Sequence, residues 1–261
     1  MLVVSILGGM GNQMYGYALY RALLERGRDV KMDLYEYKHQ TSKKLTHRKF
    51  ELERVFDIKG KYITSIHEFF LNQARKLHIF KPYNDKQTEG DFHPEILELE
   101  NGMLYGYWQS FKYIEGIEDK IRDAFTFRKP LSERSADLIR EIRSCNSVSL
   151  SIRRGDYMNI GWNLPAEWYQ KAIDYVKKRV PDAKFFVTSD DIEWCKSIWH
   201  GNEYKFVDWS LGDDQYFDMQ VITECRHNIL ANSTFCVWGA WLNKNKDRIV
   251  IRPLQKTYKK L

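Results

Sequence analysis

A chain of 261 residues with 41 Lys and Arg against 35 Asp and Glu, net +6, can bury two small cores and is only mildly basic. Its cations are scattered, apart from the tail Lys256, Lys259 and Lys260, which disfavours a nucleic-acid-binding module. No run approaches the roughly 20 apolar residues of a membrane span. The apolar start, Met1 to Leu7, lacks a basic leader and a cleavage site, so it reads as a first strand and not a signal peptide. Cys145, Cys195, Cys225 and Cys236 are widely spaced, with no CxxC and no zinc-type pairing with His. They read as buried thiols in a reducing compartment. Aromatic residues are abundant, 15% of the chain; most suit a core, and rings facing a groove suit sugars or bases.

In chain order, a strand at Leu2–Leu7 leads into Gly8-Gly9-Met10-Gly11-Asn12-Gln13. The spacing then predicts a helix over Met14–Arg26, closed by Gly27, and a strand at Val30–Leu34. This is a β-α-β unit with a glycine-rich first turn, where backbone N–H groups can hold anions or hydroxyls. It is not a dinucleotide fingerprint: Asp33 follows the second strand, but the third glycine is missing, and no lysine follows as in a P-loop. The middle, 35–128, is less regular, with a helix at Ser65–Leu77 and a strand at Met103–Tyr107 before Trp108-Gln109-Ser110. An amphipathic helix over Leu131–Arg143 marks the domain junction.

The second half alternates cleanly. Strands are expected at 147–152, 184–188, 204–207, 227–230 and 248–251, with helices at 166–179, after Asp190-Asp191, at 214–225 and at 235–242. That pattern is a parallel α/β layer. In such sheets ligands bind off the carboxyl ends of the strands, where Arg153, Asp190 and Ser233 fall.

Two adjacent arginines repel unless an anion lies between them. Arg153 and Arg154 can grip phosphate oxygens with the guanidinium fork. They can equally form structural ion pairs with Asp156 or another acid. Ser233-Thr234 is either a plain helix cap or a second set of donors. If both features share one crevice, they can hold a diphosphate without a divalent metal. Asp190-Asp191 follow Ser189 and open a helix, so at least one reads as a cap.

Five segments together resemble the α-1,2-fucosyltransferases of glycosyltransferase family 11. They are Gly8 to Met14 with Tyr17-Ala18; Gly106 to Ser110 with Lys112-Tyr113; Ile152-Arg153-Arg154-Gly155-Asp156-Tyr157; Phe186 to Asp191 with Trp194-Cys195; and Asp218-Met219, Cys225, His227 and Ile229 to Phe235 with Trp238 and Ala240 to Leu242. The resemblance implies an α/β, GT-B-like fold, two Rossmann-like domains facing across a cleft, with an acceptor-side domain at 1–130 and a donor domain at 131–261. It implies an inverting galactoside α-1,2-fucosyltransferase using GDP-β-L-fucose and a galactose-terminated glycan, with no metal and no cofactor. Arg153, Asp156 and Asn12 are the catalytic candidates, and Asp190 is a candidate for guanine or ribose. Gly9, Met10, Gly11, Gln13, Arg154, His227, Asn232, Ser233, Thr234 and Phe235 are the other substrate-binding candidates.

The sequence departs from the family at Ser151, where the family has histidine. Serine is a poor base at neutral pH, so Ser151 is not assigned that role and the base stays open, with Asp156 a geometric candidate. A nucleotide-sugar-binding protein, or a fucosyltransferase of other linkage, is the alternative. The expected setting is bacterial O-antigen or surface-polysaccharide synthesis in the cytoplasm, with peripheral association at the inner face of the membrane as an option.

Overall fold

The structure is a computed structural model that describes residues 1–39, 48–56, 58–76, 83–84 and 91–254. The chain divides into two compact units, Met1–Lys129 and Pro130–Leu261. The basic tail lies outside the described residues, as does Leu77 at the end of the expected helix.

The first unit contains β1 (Leu2–Ser5), α1 (Met10–Glu25), β2 (Val30–Asp33), α2 (Tyr35–Lys38), α3 (Leu52–Phe56), α4 (Ser65–Lys76), β3 (Tyr83–Asn84), β4 (Gly102–Tyr105) and α5 (Glu118–Ala124). Its sheet runs β2-β1-β4-β3 and is parallel throughout. β1 is central and buried along its length, which is why it reads Leu-Val-Val rather than alternating. Gly16 lets α1 lie close on the strand: a Cβ there would sit 2.9 Å from Ile6 Cδ1. The helix expected from Met14 starts four residues earlier. Gly9 is its N-cap, so Met10 to Gln13 form its first turn and not a loop. Apolar spacing could not show this, because α1 buries residues on nearly every side of that turn.

The second unit contains α6 (Glu133–Ser144), β5 (Ser147–Ile152), α7 (Gly155–Ile160), α8 (Ala166–Lys177), β6 (Lys184–Ser189), α9 (Ile192–Ile198), β7 (Tyr204–Phe206), α10 (Tyr216–Glu224), β8 (His227–Ile229), α11 (Thr234–Leu242) and β9 (Val250–Ile251). The sheet order is β7-β6-β5-β8-β9, again parallel throughout. Apolar clusters cover both faces. Val148, Leu150 and Ile152 pack with Tyr169, Ile173 and Val176 of α8. Phe186 packs with α6 and α10.

The alternation Ser-Val-Ser-Leu-Ser-Ile in β5 is therefore not a wet face beside a dry one, since all six residues are buried. The serines form a hydrogen-bonded row instead. Ser147 Oγ accepts from Arg226 N at 3.1 Å and Ser149 Oγ from Asn228 Nδ2 at 2.9 Å. Buried hydroxyls need such partners, and small ones let α10 approach. The four cysteines are free thiols, with Cys195, Cys225 and Cys236 buried.

Candidate active site

At the carboxyl end of β5 the two arginines are held by three carboxylates. Arg153 donates from Nη2 to Asp156 Oδ1 at 2.8 Å, and its Nε pairs with Asp190 Oδ2 at 3.0 Å. The other Asp190 oxygen accepts from the Arg154 backbone N–H at 2.8 Å. Arg154 turns the other way: Nε donates to Asp191 at 3.0 Å and the guanidinium lies 3.9 Å over the Trp194 ring. Asp191 also caps α9 by accepting from Trp194 N. Asp156 thus pairs with Arg153, and Arg154 with Asp191.

Burial alone would depress the Arg153 pKa, but Asp190 and Asp156 outweigh it and hold the pKa above its ordinary value. Its side chain is 29% exposed against 15% for Arg154, so Arg153 is the arginine with surface to offer a ligand. Three acids facing two guanidiniums leave a formal charge of −1.

Ser151 is 3% exposed, with its hydroxyl 3.3 Å from Thr188 Oγ1 and in contact with Cys236. Burial pushes the Cys236 thiol up to about 12, so it stays protonated and is no nucleophile at neutral pH. Ser151 belongs to a buried polar row under the arginines and offers no base at the surface.

Asn232, Ser233, Thr234 and Phe235 lie at the end of β8 and the start of α11, partly exposed. Ser233 is the N-cap by position, yet its side chain makes no capping bond. Its hydroxyl meets the Tyr157 phenol, which burial pushes up to about 12. Tyr157 in turn donates to Asn232 O at 3.3 Å, and Asn232 Nδ2 donates to Trp162 O at 2.6 Å. Asn232 so ties the loop after α7 to the start of α11. Its Oδ1 is buried without a hydrogen-bond partner among the described residues.

His227 lies apart from the arginines. It pairs in register with Val148, at the opposite end of the parallel sheet from Arg153. At about 3.3 Å per residue that is some 16 Å away. Its Nδ1 accepts from Ile249 N at 3.0 Å and joins β8 to the chain entering β9. Burial and neighbouring Arg226 lower its pKa, so the neutral ring that accepts this bond is favoured. It is not part of the arginine site.

Two residues there carried no assigned role in the sequence. Asp218, in the first turn of α10, accepts from Ser210 Oγ. Burial pushes its carboxyl up to about 7; the Ser210 bond opposes this and the charge of Asp190 adds to it. Tyr157 is the link between Arg153 and Ser233. The signal for Asp218 was a lone acid in the run Tyr216-Phe217-Asp218-Met219.

In the first unit a second cluster gathers at the start of α1. Gly8 has φ +71, the left-handed region, and its carbonyl accepts from Gln13 Nε2 at 3.1 Å and Tyr37 OH at 2.9 Å. A Cβ on Gly9 would meet nothing within 4 Å, so the N-terminus of this 16-residue helix is approachable. Asn12 Oδ1 accepts from Gln109 Nε2 at 2.9 Å. Gln109 follows Trp108, which is 2% exposed and held at φ +54, an outlying conformation for a bulky residue. The side chain of Met10 is buried, as is Gly11.

Gln13 is enclosed beside this cluster. It is fully buried, and besides Gly8 O its amide donates to Lys49 O at 2.8 Å and accepts from Glu51 N at 2.8 Å. It staples residues 49–51 to α1 and has no surface for a substrate.

The model of the family described as Glycosyl transferase family 11 matches residues 2–259. The chain belongs to that family. It is 31% identical to an Escherichia coli alpha-1,2-colitosyltransferase over 97% of this chain and 91% of the relative. It is 29% identical to the E. coli O-antigen biosynthesis glycosyltransferase WbnK over 94% and 91%. A galactoside alpha-(1,2)-fucosyltransferase 1 from Leontocebus fuscicollis is 27% identical over 62% of this chain and 49% of its own.

Among solved structures, the NodZ alpha-1,6-fucosyltransferase soaked with GDP-fucose aligns at a TM-score of 0.54 and 16% identity, over 92% of this chain and 91% of that one. POFUT1 in complex with GDP-fucose aligns at 0.51 and 13%, over 96% and 97%. The fold is GT-B-like, built from two Rossmann-like units, and the family member is a glycosyltransferase. Among the described residues no helix is long and apolar enough to cross a membrane.

Proposed function

We propose that this glycosyltransferase moves L-fucose from GDP-β-L-fucose to the 2-hydroxyl of a terminal galactose, with inversion, in O-antigen or surface-polysaccharide synthesis. The observation that carries the reading is Arg153. It is a partly exposed guanidinium at a strand end, oriented by two carboxylates, in a chain of family 11. As the acceptor hydroxyl attacks C1, negative charge develops on the leaving diphosphate. A preoriented cation there lowers the barrier because it needs no reorganisation. Ser233, Thr234 and the open N–H groups of α11 would add donors to the same phosphates. In this reading Pro130–Leu261 holds the donor and Met1–Lys129 the acceptor. Asn12 would hold a hydroxyl or phosphate oxygen at the start of α1. Asp156 acts first as the orienting partner of Arg153. Neither metal nor cofactor is required, because guanidinium and hydroxyl groups meet the developing charge. A cytoplasmic setting, where nucleotide sugars are used for such polymers, goes with this reading.

One specific observation favours a second donor. The relative at 31% identity is named for colitosyl transfer, and colitose is L-fucose without its 3-hydroxyl. A site that hydrogen-bonds a hydroxyl rejects the deoxy analogue by about 10⁴–10⁵, whereas an apolar pocket separates such pairs only about 10²-fold. The test offers GDP-fucose and GDP-colitose separately with lactose and determines the linkage of any product. An α-1,2-fucosylated product is expected. Transfer from GDP-colitose alone moves the assignment to the second donor, and transfer from neither sinks both.

A further inference from the structure

Ser233 stands where a capping residue stands and does not cap. Its backbone has the extended geometry of an N-cap, φ −124 and ψ 132, and it opens the 9-residue helix α11. Serine is among the preferred residues there, because its Oγ can accept from the N–H groups of the second and third helical residues. Here those are Phe235 and Cys236, and the Ser233 side chain takes neither. The backbone is right for a cap, and only the hydroxyl is turned away.

Tyr157 is what turns it. The phenol donates to Asn232 O at 3.3 Å, which uses its proton and leaves its oxygen to receive the Ser233 hydroxyl. The ring is held by two further neighbours. The Arg153 guanidinium lies 5.5 Å from its centroid, and Trp162 meets it edge-on at 5.8 Å. Burial keeps the phenol protonated at neutral pH, so it acts there as a donor and not as a base. The first N–H groups of a helix want an acceptor, and a serine able to supply one is diverted. That costs the free protein stability, a trade that recurs at functional sites. In return the first turn of α11 stays open to an anion, and the hydroxyl can swing its proton from the phenol to an incoming oxygen.

We propose that Tyr157 is a positioning residue for the donor diphosphate: it holds Ser233 off the first turn of α11, so that this turn meets the phosphates uncapped. Tyr157 acts through Ser233 and Arg153 and touches no reacting atom. The inference rests on the donor reading proposed above for Pro130–Leu261.

Tyr157→Phe keeps the ring against Arg153 and Trp162 and removes only the phenol oxygen, so Ser233 turns to cap α11. GDP affinity, read by calorimetry, is expected to fall about tenfold, with donor KM rising alongside and acceptor KM within about twofold of the parent. Thermal melts separate this from a loss of structure. Ser233→Ala should move the parent melt by less than about 1 °C, because there is no cap to remove. In the Tyr157→Phe background the same change should lower the melt by about 2–4 °C, the worth of an N-cap in a chain of this size. Unchanged GDP affinity in Tyr157→Phe overturns the proposal alone, as does an equal effect of Ser233→Ala in both backgrounds. A parent that binds no GDP overturns the donor reading and the proposal with it.

Discussion

A Cβ at position 155 would lie 2.6 Å from Asp190 Oδ2, the oxygen that pairs with Arg153 Nε. The glycine after the two arginines is the space that lets this carboxylate reach them. Gly155→Ala has to push Asp190 aside, because no Cβ sits that close to an oxygen. The expected result is a folded protein whose kcat falls about 10–100-fold as Arg153 loses one of its two anchors. Turnover within about twofold of the parent would show that Asp190 does not orient Arg153.

Arg153→Ala should remove most of the stabilisation of the leaving diphosphate and lower kcat about 10²–10³-fold. Arg153→Lys should restore little, since an ammonium cannot serve Asp156, Asp190 and a phosphate with a planar fork. Arg154→Ala should instead lower the melting temperature, because that side chain is stacked on Trp194 and paired to Asp191. Steady-state rates measured beside thermal melts separate the two.

Gln13→Ala removes one of the two donors to Gly8 O, a donor to Lys49 O and the acceptor of Glu51 N, in a partly buried setting. A loss of about 2–4 kcal/mol of stability is expected. At a temperature where the variant is folded, acceptor KM should change little. His227→Ala, at the far end of the sheet, should leave kcat/KM within about twofold. A selective KM effect from either substitution would restore it to the site.

Asp218 links stability to pH. Its folded pKa, about 7, stands above the ordinary aspartate value of 3.8, so the folded state binds the extra proton between these limits. Stability from this group is full below the unfolded pKa and is lost as pH rises toward 7. Asp218→Asn keeps an acceptor for Ser210 and has no charge to lose. Its stability relative to the parent should therefore improve by one to a few kcal/mol between about pH 4 and pH 8, read from urea unfolding at each pH. A parallel pH dependence in both proteins would refute this role.

What the sequence by itself determined is mostly local or periodic. The strand–helix alternation of 147–251, the ends of those strands and a cap at one of Asp190-Asp191 follow from apolar spacing and capping chemistry within a few residues. Arg153 at a strand end was legible for the same reason, as was its choice between a phosphate and an acid partner, though not the outcome.

Only the tertiary structure assigned partners across long separations. Gln13 and Asn12 are adjacent in one polar stretch, yet one is spent on residues 49 and 51 and the other stays accessible. Parallel register sent His227 to the end of the sheet away from Arg153, although both flank strands in a familiar-looking motif. Ser151, which looked like a lost base, became one member of a buried serine row because both faces of β5 are covered. In each case burial and a distant hydrogen-bond partner decide what a polar side chain is for, and neither is written in its neighbours along the chain.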